Sequence, residues 1–223
     1  MSTPTEAPRP RAVLVGVQLA GVTDAEQRSS LTELKRLCET LGFEAVGEVT
    51  QKRTGVGATT LLGQGKLAEL AGWTGGTGVV PKGPPARKKV TAETASPGHE
   101  KPPLPEGEPR ASVVVVDHDL SPRQLRHIER ATAATVLDRT GVIIEIFHRH
   151  ASSRPARLQV EIARLTYVAP RLRETGGGER QRGGIGQRGA GESSLELDRR
   201  KIRDRISELK AELAAIDDES KTR

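Results

Sequence analysis

The run from residue 176 to residue 191 most limits what this chain can become. Half of its positions are glycine, and Arg180, Arg182 and Arg188 stand against a single acid, Glu179. Such a segment has too few apolar side chains to build a core, and glycine disfavours both helix and strand. What it can do is bring backbone N–H groups and guanidinium forks close to phosphates.

The flanks have the opposite character. Before the run, Leu158, Ile162, Leu165, Ala169 and Leu172 recur at steps of four, three, four and three. After it, Leu195, Ile202, Ile206, Leu209, Leu213 and Ile216 recur at steps of seven, four, three, four and three. These are seam positions of paired helices, and a glycine-rich connection lets the second helix return antiparallel to the first. The spacing predicts a two-helix coiled-coil hairpin over residues 153–217, with its tip at 176–191 and a linker at 218–223. Ser193 and Glu196 have the spacing of a capping box, and Pro170 is expected to kink the first helix or loosen its last turn.

Residues 11–152 read as an α/β subdomain: a small parallel sheet with packed helices. Ala12-Val13-Leu14-Val15-Gly16-Val17-Gln18-Leu19 and Ser112-Val113-Val114-Val115-Val116-Asp117 are apolar runs of the kind buried on both faces of a sheet. Residues 45–49 and 135–138 supply two shorter strands. Leu31, Leu34, Leu37, Cys38 and Leu41 mark a helix, with Thr23 or Asp24 to cap it and Gly42 to end it. Ser121-Pro122 opens another helix, 139–141 reads as a turn, and 142–150 as a further helix. Strand and helix alternating in this way give a parallel sheet. Residues 1–10 read as a disordered tail. Residues 72–110, rich in Gly and Pro, read as a disordered insertion.

The chain has 223 residues, a formal net charge of +6 and only 2% aromatic residues, so its core must be aliphatic and its partner is expected to be anionic. The single cysteine, Cys38, fits a reducing cytoplasm, and no apolar run has the length of a membrane span. Arg171, Arg173, Arg180, Arg182, Arg188, Arg199 and Arg200, with Gly183, Gly184, Gly186, Gly189 and Gly191, are the candidate RNA-binding residues. The arginines meet phosphate and the glycines permit close backbone approach. Arg203 and Arg205 interleave with acids and read as solvated surface.

Other motifs point less far. Gly184-Ile185-Gly186-Gln187-Arg188-Gly189 matches GxGxxG but follows a helix rather than a strand. Gly63-Gln64-Gly65-Lys66 lacks the first glycine and the hydroxyl of a phosphate loop. Glu145 with His148 has no second such motif to complete a metal site, and Asp117-His118-Asp119 is a polar strand end. Cys38 lies on an apolar helix face, as a core residue does. No catalytic residue and no metal ligand is assigned.

The arrangement resembles the HflX family of ribosome-associated GTPases. The likeness is carried by Gly183-Gly184-Ile185-Gly186-x-Arg188-Gly189-x-Gly191-Glu192-x-x-Leu195-Glu196-x-Asp198-Arg199-Arg200, by Gly47-Glu48-Val49-Thr50-Gln51-Lys52-Arg53, and by Val136-Leu137-Asp138-Arg139-Thr140-Gly141-Val142-Ile143. Supporting it are Gly63-x-Gly65-Lys66-Leu67, Leu120-Ser121-Pro122-x-Gln124 and Leu158-Gln159-Val160-Glu161. Ala190 and Ser193-Ser194 depart from the family pattern. The resemblance implies a ribosome-binding N-terminal region. Its hairpin tip would dock on large-subunit rRNA near the peptidyl-transferase centre, and the protein would split or rescue ribosomes. It also implies a G domain after the second helix, where GTP and magnesium would bind. With no phosphate loop of its own, the chain up to Arg223 is not expected to hydrolyse nucleotide. Two alternatives remain: an α/β domain that binds and hydrolyses nucleotide near Asp117 or Asp138, and a coiled-coil module that pairs with another protein.

Overall fold

The structure is a computed structural model that describes residues 9–55, 61–80, 110–172 and 194–221. The chain divides into two compact units, Met1–Ile143 and Ile144–Arg223.

In the first unit, strands β1 (Arg11–Leu19), β2 (Glu44–Arg53), β3 (Val113–Val116) and β4 (Thr135–Asp138) form one parallel sheet in the order β2-β1-β3-β4. Successive side chains of a strand face opposite ways. Val13, Val15 and Val17 of β1 therefore join Val49, Val114, Val116 and Val136 in one apolar cluster. Helices α2 (Gln64–Thr74) and α3 (Pro122–Thr132) close this cluster with Leu67, Leu70, Leu125 and Ile128. The opposite face of β1 meets α1 (Asp24–Thr40): a Cβ placed on Gly16 would lie 3.0 Å from Leu31. Burial on both faces is why these strands are unbroken apolar runs.

The helix ends follow from local chemistry. Thr23, not Asp24, caps α1: its hydroxyl accepts the Glu26 N–H at 3.2 Å, and the Glu26 carboxylate accepts the Thr23 N–H at 2.8 Å. Gly42 (φ +75°) ends the helix, with the Phe43 N–H donating back to the Cys38 carbonyl at 3.0 Å. Ser121 and Gln124 form the same reciprocal cap at the start of α3.

Several boundaries differ from the sequence reading, among them β2, which runs from Glu44 to Arg53 rather than 45–49. The insertion does not begin at Gly72: α2 continues to Thr74, and Trp73 and Val80 pack on the core. Gly72 looks like a breaker, yet it is buried, and the left-handed stop comes at Gly75 (φ +84°). Residues 139–141 are not a turn but the first residues of α4 (Arg139–His150). The Asp138 carboxylate accepts the Gly141 N–H at 2.8 Å, which stabilises the new helix where its backbone has no partner. The helix that follows the glycine-rich run continues to Lys221 and so takes in the first residues of the expected linker. The Pro10 carbonyl of the expected tail accepts the Glu44 N–H at 3.0 Å. Residues 1–8, 81–109 and the whole tip 176–191 lie outside the described residues.

The second unit holds the end of α4, then α5 (Arg154–Val168), a short 3-10 turn (Ala169–Arg171) and α6 (Ser194–Lys221). Ser153 caps α5. At Pro170, which lacks a backbone donor, the α-helix gives way to the tighter turn.

Candidate nucleic-acid interface

Helices α5 and α6 pair antiparallel. Arg154 donates to Glu212 at 2.7 Å, and Arg205 donates to Glu161 at 3.4 Å. A step of seven forward on α5 is thus matched by seven back on α6, the heptad expected of the seam. Leu158 and Leu209 are buried, and Ile162, Leu165, Ile202, Ile206, Leu213 and Ile216 are half-buried. Exposed ion pairs contribute at most about 1 kcal/mol, whereas a fully buried leucine contributes roughly 2 kcal/mol. The apolar seam therefore holds the arm, and the charged pairs on its flanks agree with its register.

The next step of seven sets Val168 level with Asp198, and hence Tyr167 level with Arg199. Both helices reach the same end of the arm, where Leu172 closes one described stretch and Ser194 opens the other. Of the candidate RNA-binding residues, Arg171, Arg199 and Arg200 are described; Arg199 and Arg200 are exposed on the first turns of α6. Arg173, Arg180, Arg182, Gly183, Gly184, Gly186, Arg188, Gly189, Gly191 and Ser193 lie outside the described residues.

Arg171 is held in a way the sequence reading does not anticipate. Its guanidinium carbon sits 3.6 Å from the centroid of the Tyr167 ring, and its Nη1 donates to the Tyr167 carbonyl at 2.7 Å. From the 3-10 turn the cation lies back along α5, over the single tyrosine of the chain. Tyrosine and arginine four apart in the sequence was the available signal.

The strand-end acids serve the fold. Asp138 is fully buried: besides capping α4, it accepts the Leu120 N–H at 3.1 Å. Asp117 pairs with Arg139 at 2.7 Å, and Arg139 also reaches Glu33 at 2.6 Å and the Ser30 hydroxyl at 3.2 Å. The hydrogen bond to Glu33, then that to Asp117, raises the affinity of Arg139 for its proton despite partial burial. Asp119 accepts from the Thr140 hydroxyl at 2.6 Å. Gly63 is the cap residue of α2 and donates to the Gln51 side chain at 2.9 Å, while Lys66 pairs with Glu69 at 2.6 Å. Cys38 is fully buried, and burial pushes its thiol up to about 12. Among the described residues no three His, Cys, Asp or Glu side chains converge as a metal site would need, and no helix is long and apolar enough to cross a membrane.

Residues 28–79 and 106–148 match the family model described as GTP-binding GTPase N-terminal, and residues 150–223 match the one described as GTP-binding GTPase middle region. The GTPase HflX of Gluconacetobacter diazotrophicus is 59% identical over 217 residues, which cover 95% of this chain and 47% of that protein. The GTPase HflX of Escherichia coli K12 is 35% identical over 208 residues, 93% of this chain and 41% of that protein. The chain thus spans about half the length of the curated relatives it matches. The crystal structure of SsGBP in complex with GDP aligns at a TM-score of 0.59 and 19% identity, over 96% of this chain and 46% of that one. A GTP-binding protein from Sulfolobus solfataricus with GDP aligns at 0.52 and 19%, over 93% and 46%. At that identity the likeness is one of fold. With two consecutive family regions matched and close relatives aligned along nearly all of it, this chain belongs to the HflX GTPase family, of which it spans the N-terminal and middle regions.

Proposed function

We propose that this chain is the ribosome-docking part of an HflX-type GTPase, placing the glycine- and arginine-rich segment 176–191 against rRNA of the large subunit near the peptidyl-transferase centre, so that ribosomes are split or rescued. The observation that carries this reading is the antiparallel α5–α6 arm. Its register brings Leu172 and Ser194, the described residues nearest the Gly/Arg segment in the chain, to one end of the pair, where Arg171, Arg199 and Arg200 also stand. Arg180, Arg182 and Arg188 meet phosphates, while Gly183, Gly184, Gly186, Gly189 and Gly191 let the backbone approach the RNA. In a GTPase of this kind, GTP and magnesium would be held by a G domain. No GxxxxGK[ST] motif occurs within residues 1–223.

The test is co-sedimentation with purified large subunits across a salt series. Arg182→Ala with Arg188→Ala should weaken binding and flatten the salt dependence by about one unit of log–log slope per lost phosphate contact. Unchanged binding of the double variant overturns the assignment.

The α/β unit is less well supported as a nucleotide hydrolase, because both strand-end carboxylates named for it already have partners within the fold.

A further inference from the structure

Helix α3 turns Leu125, Ile128 and Ala131 into the core of the α/β unit. Its other face carries Arg123, Arg126 and Arg130, at steps of three and four, so the three guanidinium groups form a row along the helix. Seven residues of helix span roughly 10 Å. With His127 and Val80 these arginines line a cavity of about 310 Å³.

Three observations set this row apart from an ordinary solvated helix face. Among the described residues, none of the three arginines has an acidic partner within ion-pair distance, unlike Arg154 and Arg205 on the arm. Arg126 is half-buried, as a side chain set into the wall of a cavity is, and no acid among the described residues lies within ion-pair distance of it. Nδ1 of His127 is buried and has no hydrogen-bond partner among the described residues, although buried polar atoms in folded proteins nearly always have one. Glu129 is the one acid on the helix, against three arginines.

A concave site walled by three guanidinium groups and an unsatisfied ring nitrogen is built for anionic oxygens. Arginine in particular binds phosphate through paired N–H donors. We propose that the α3 row is a second RNA contact, which grips the phosphate backbone of a folded RNA while the Gly/Arg segment docks elsewhere. The choice of RNA as the anion rests on the function proposed above; the anion site itself rests on α3 alone. A row, rather than a single pocket around one phosphate, favours a polymer backbone over a free phosphate.

The experiment uses the whole 223-residue chain and a fluorescein-labelled RNA hairpin, read by anisotropy over a range of KCl concentrations. Replacing Arg123, Arg126 and Arg130 by Gln should lower affinity at least about tenfold and reduce the salt slope by about 2 to 3 units. The corresponding Lys variant keeps the charge and should retain most of the slope, which separates lost charge from misfolding. A Gln variant with a native circular-dichroism melt and wild-type slope overturns the proposal. So does a Lys variant with a native melt that loses binding as fully as the Gln variant. Inorganic pyrophosphate at millimolar concentration should not displace the RNA; displacement that depends on these arginines would assign the row to a small phosphate ligand instead. The Arg182→Ala, Arg188→Ala variant is measured in parallel. If it binds normally while the α3 variant does not, the tip assignment fails and the α3 contact stands.

Discussion

The guanidinium of Arg139 lies 2.7 Å from the carboxylate of Asp117, whose side chain is only 5% exposed. Asp117 follows the last residue of β3, Arg139 is the first residue of α4, and the second arm of the guanidinium reaches Glu33 on α1. One side chain therefore ties three elements together at the carboxyl edge of the sheet. Arg139→Met would leave Asp117 desolvated and unpaired. It should cost about 3 kcal/mol in urea unfolding, and Asp117→Asn combined with it should cost clearly less than the two single changes added together. Glu33, with a side chain 61% exposed, is the weaker partner: Glu33→Gln should cost less than about 1 kcal/mol.

Gly47 offers a test with a built-in reporter. A Cβ at this position would sit 2.8 Å from the ring of Trp73, the one tryptophan of the chain. The ring is rigid and packs on the core, so it cannot yield as a flexible side chain would. Gly47→Ala should destabilise the protein by about 1–3 kcal/mol and shift the tryptophan emission to the red. Unchanged emission and midpoint would mean that the ring is free to swing away.

Cys38 should behave as a core residue. Its thiol stays protonated to about 12, against an ordinary 9.0, because burial penalises the thiolate. Alkylation at pH 8 should be at least about a hundredfold slower in the native protein than in urea. The linkage has a definite sign. Above pH 9 the unfolded chain gives up this proton while the folded chain keeps it, so folding stability attributable to Cys38 falls as pH rises from 9 toward 12. Comparison with Cys38→Ala isolates the effect. Equal pH profiles for the two proteins would contradict it.

Much of the architecture was legible where side-chain period and capping chemistry agree. The apolar runs of β1 and β3 have the look of doubly covered strands, and Ser121-Pro122 marked the start of α3 because serine accepts a backbone donor just where proline has none to offer. The heptads of α5 and α6 predicted their pairing. The reading stopped short where a long-range partner decides the outcome. Nothing local says that Gly72 is covered, or that Asp138 turns back to start a helix at Arg139. For the candidate interface, sequence alone marked the arginines by composition. It missed that Arg171 folds onto Tyr167, and it passed over the arginine row of α3, because whether an acid among the described residues stands opposite is a property of space rather than of sequence.

The repeat of ion pairs along the arm has a consequence for engineering its reach. Removing seven residues from α5 and the facing seven from α6 would bring the same faces back into contact and shorten the lever by about 10 Å. Removing three or four from one helix alone would turn its apolar side out of alignment. The span of this lever can thus be altered only in whole units, as with a ratchet, and a graded set of such deletions would measure how deep its target lies.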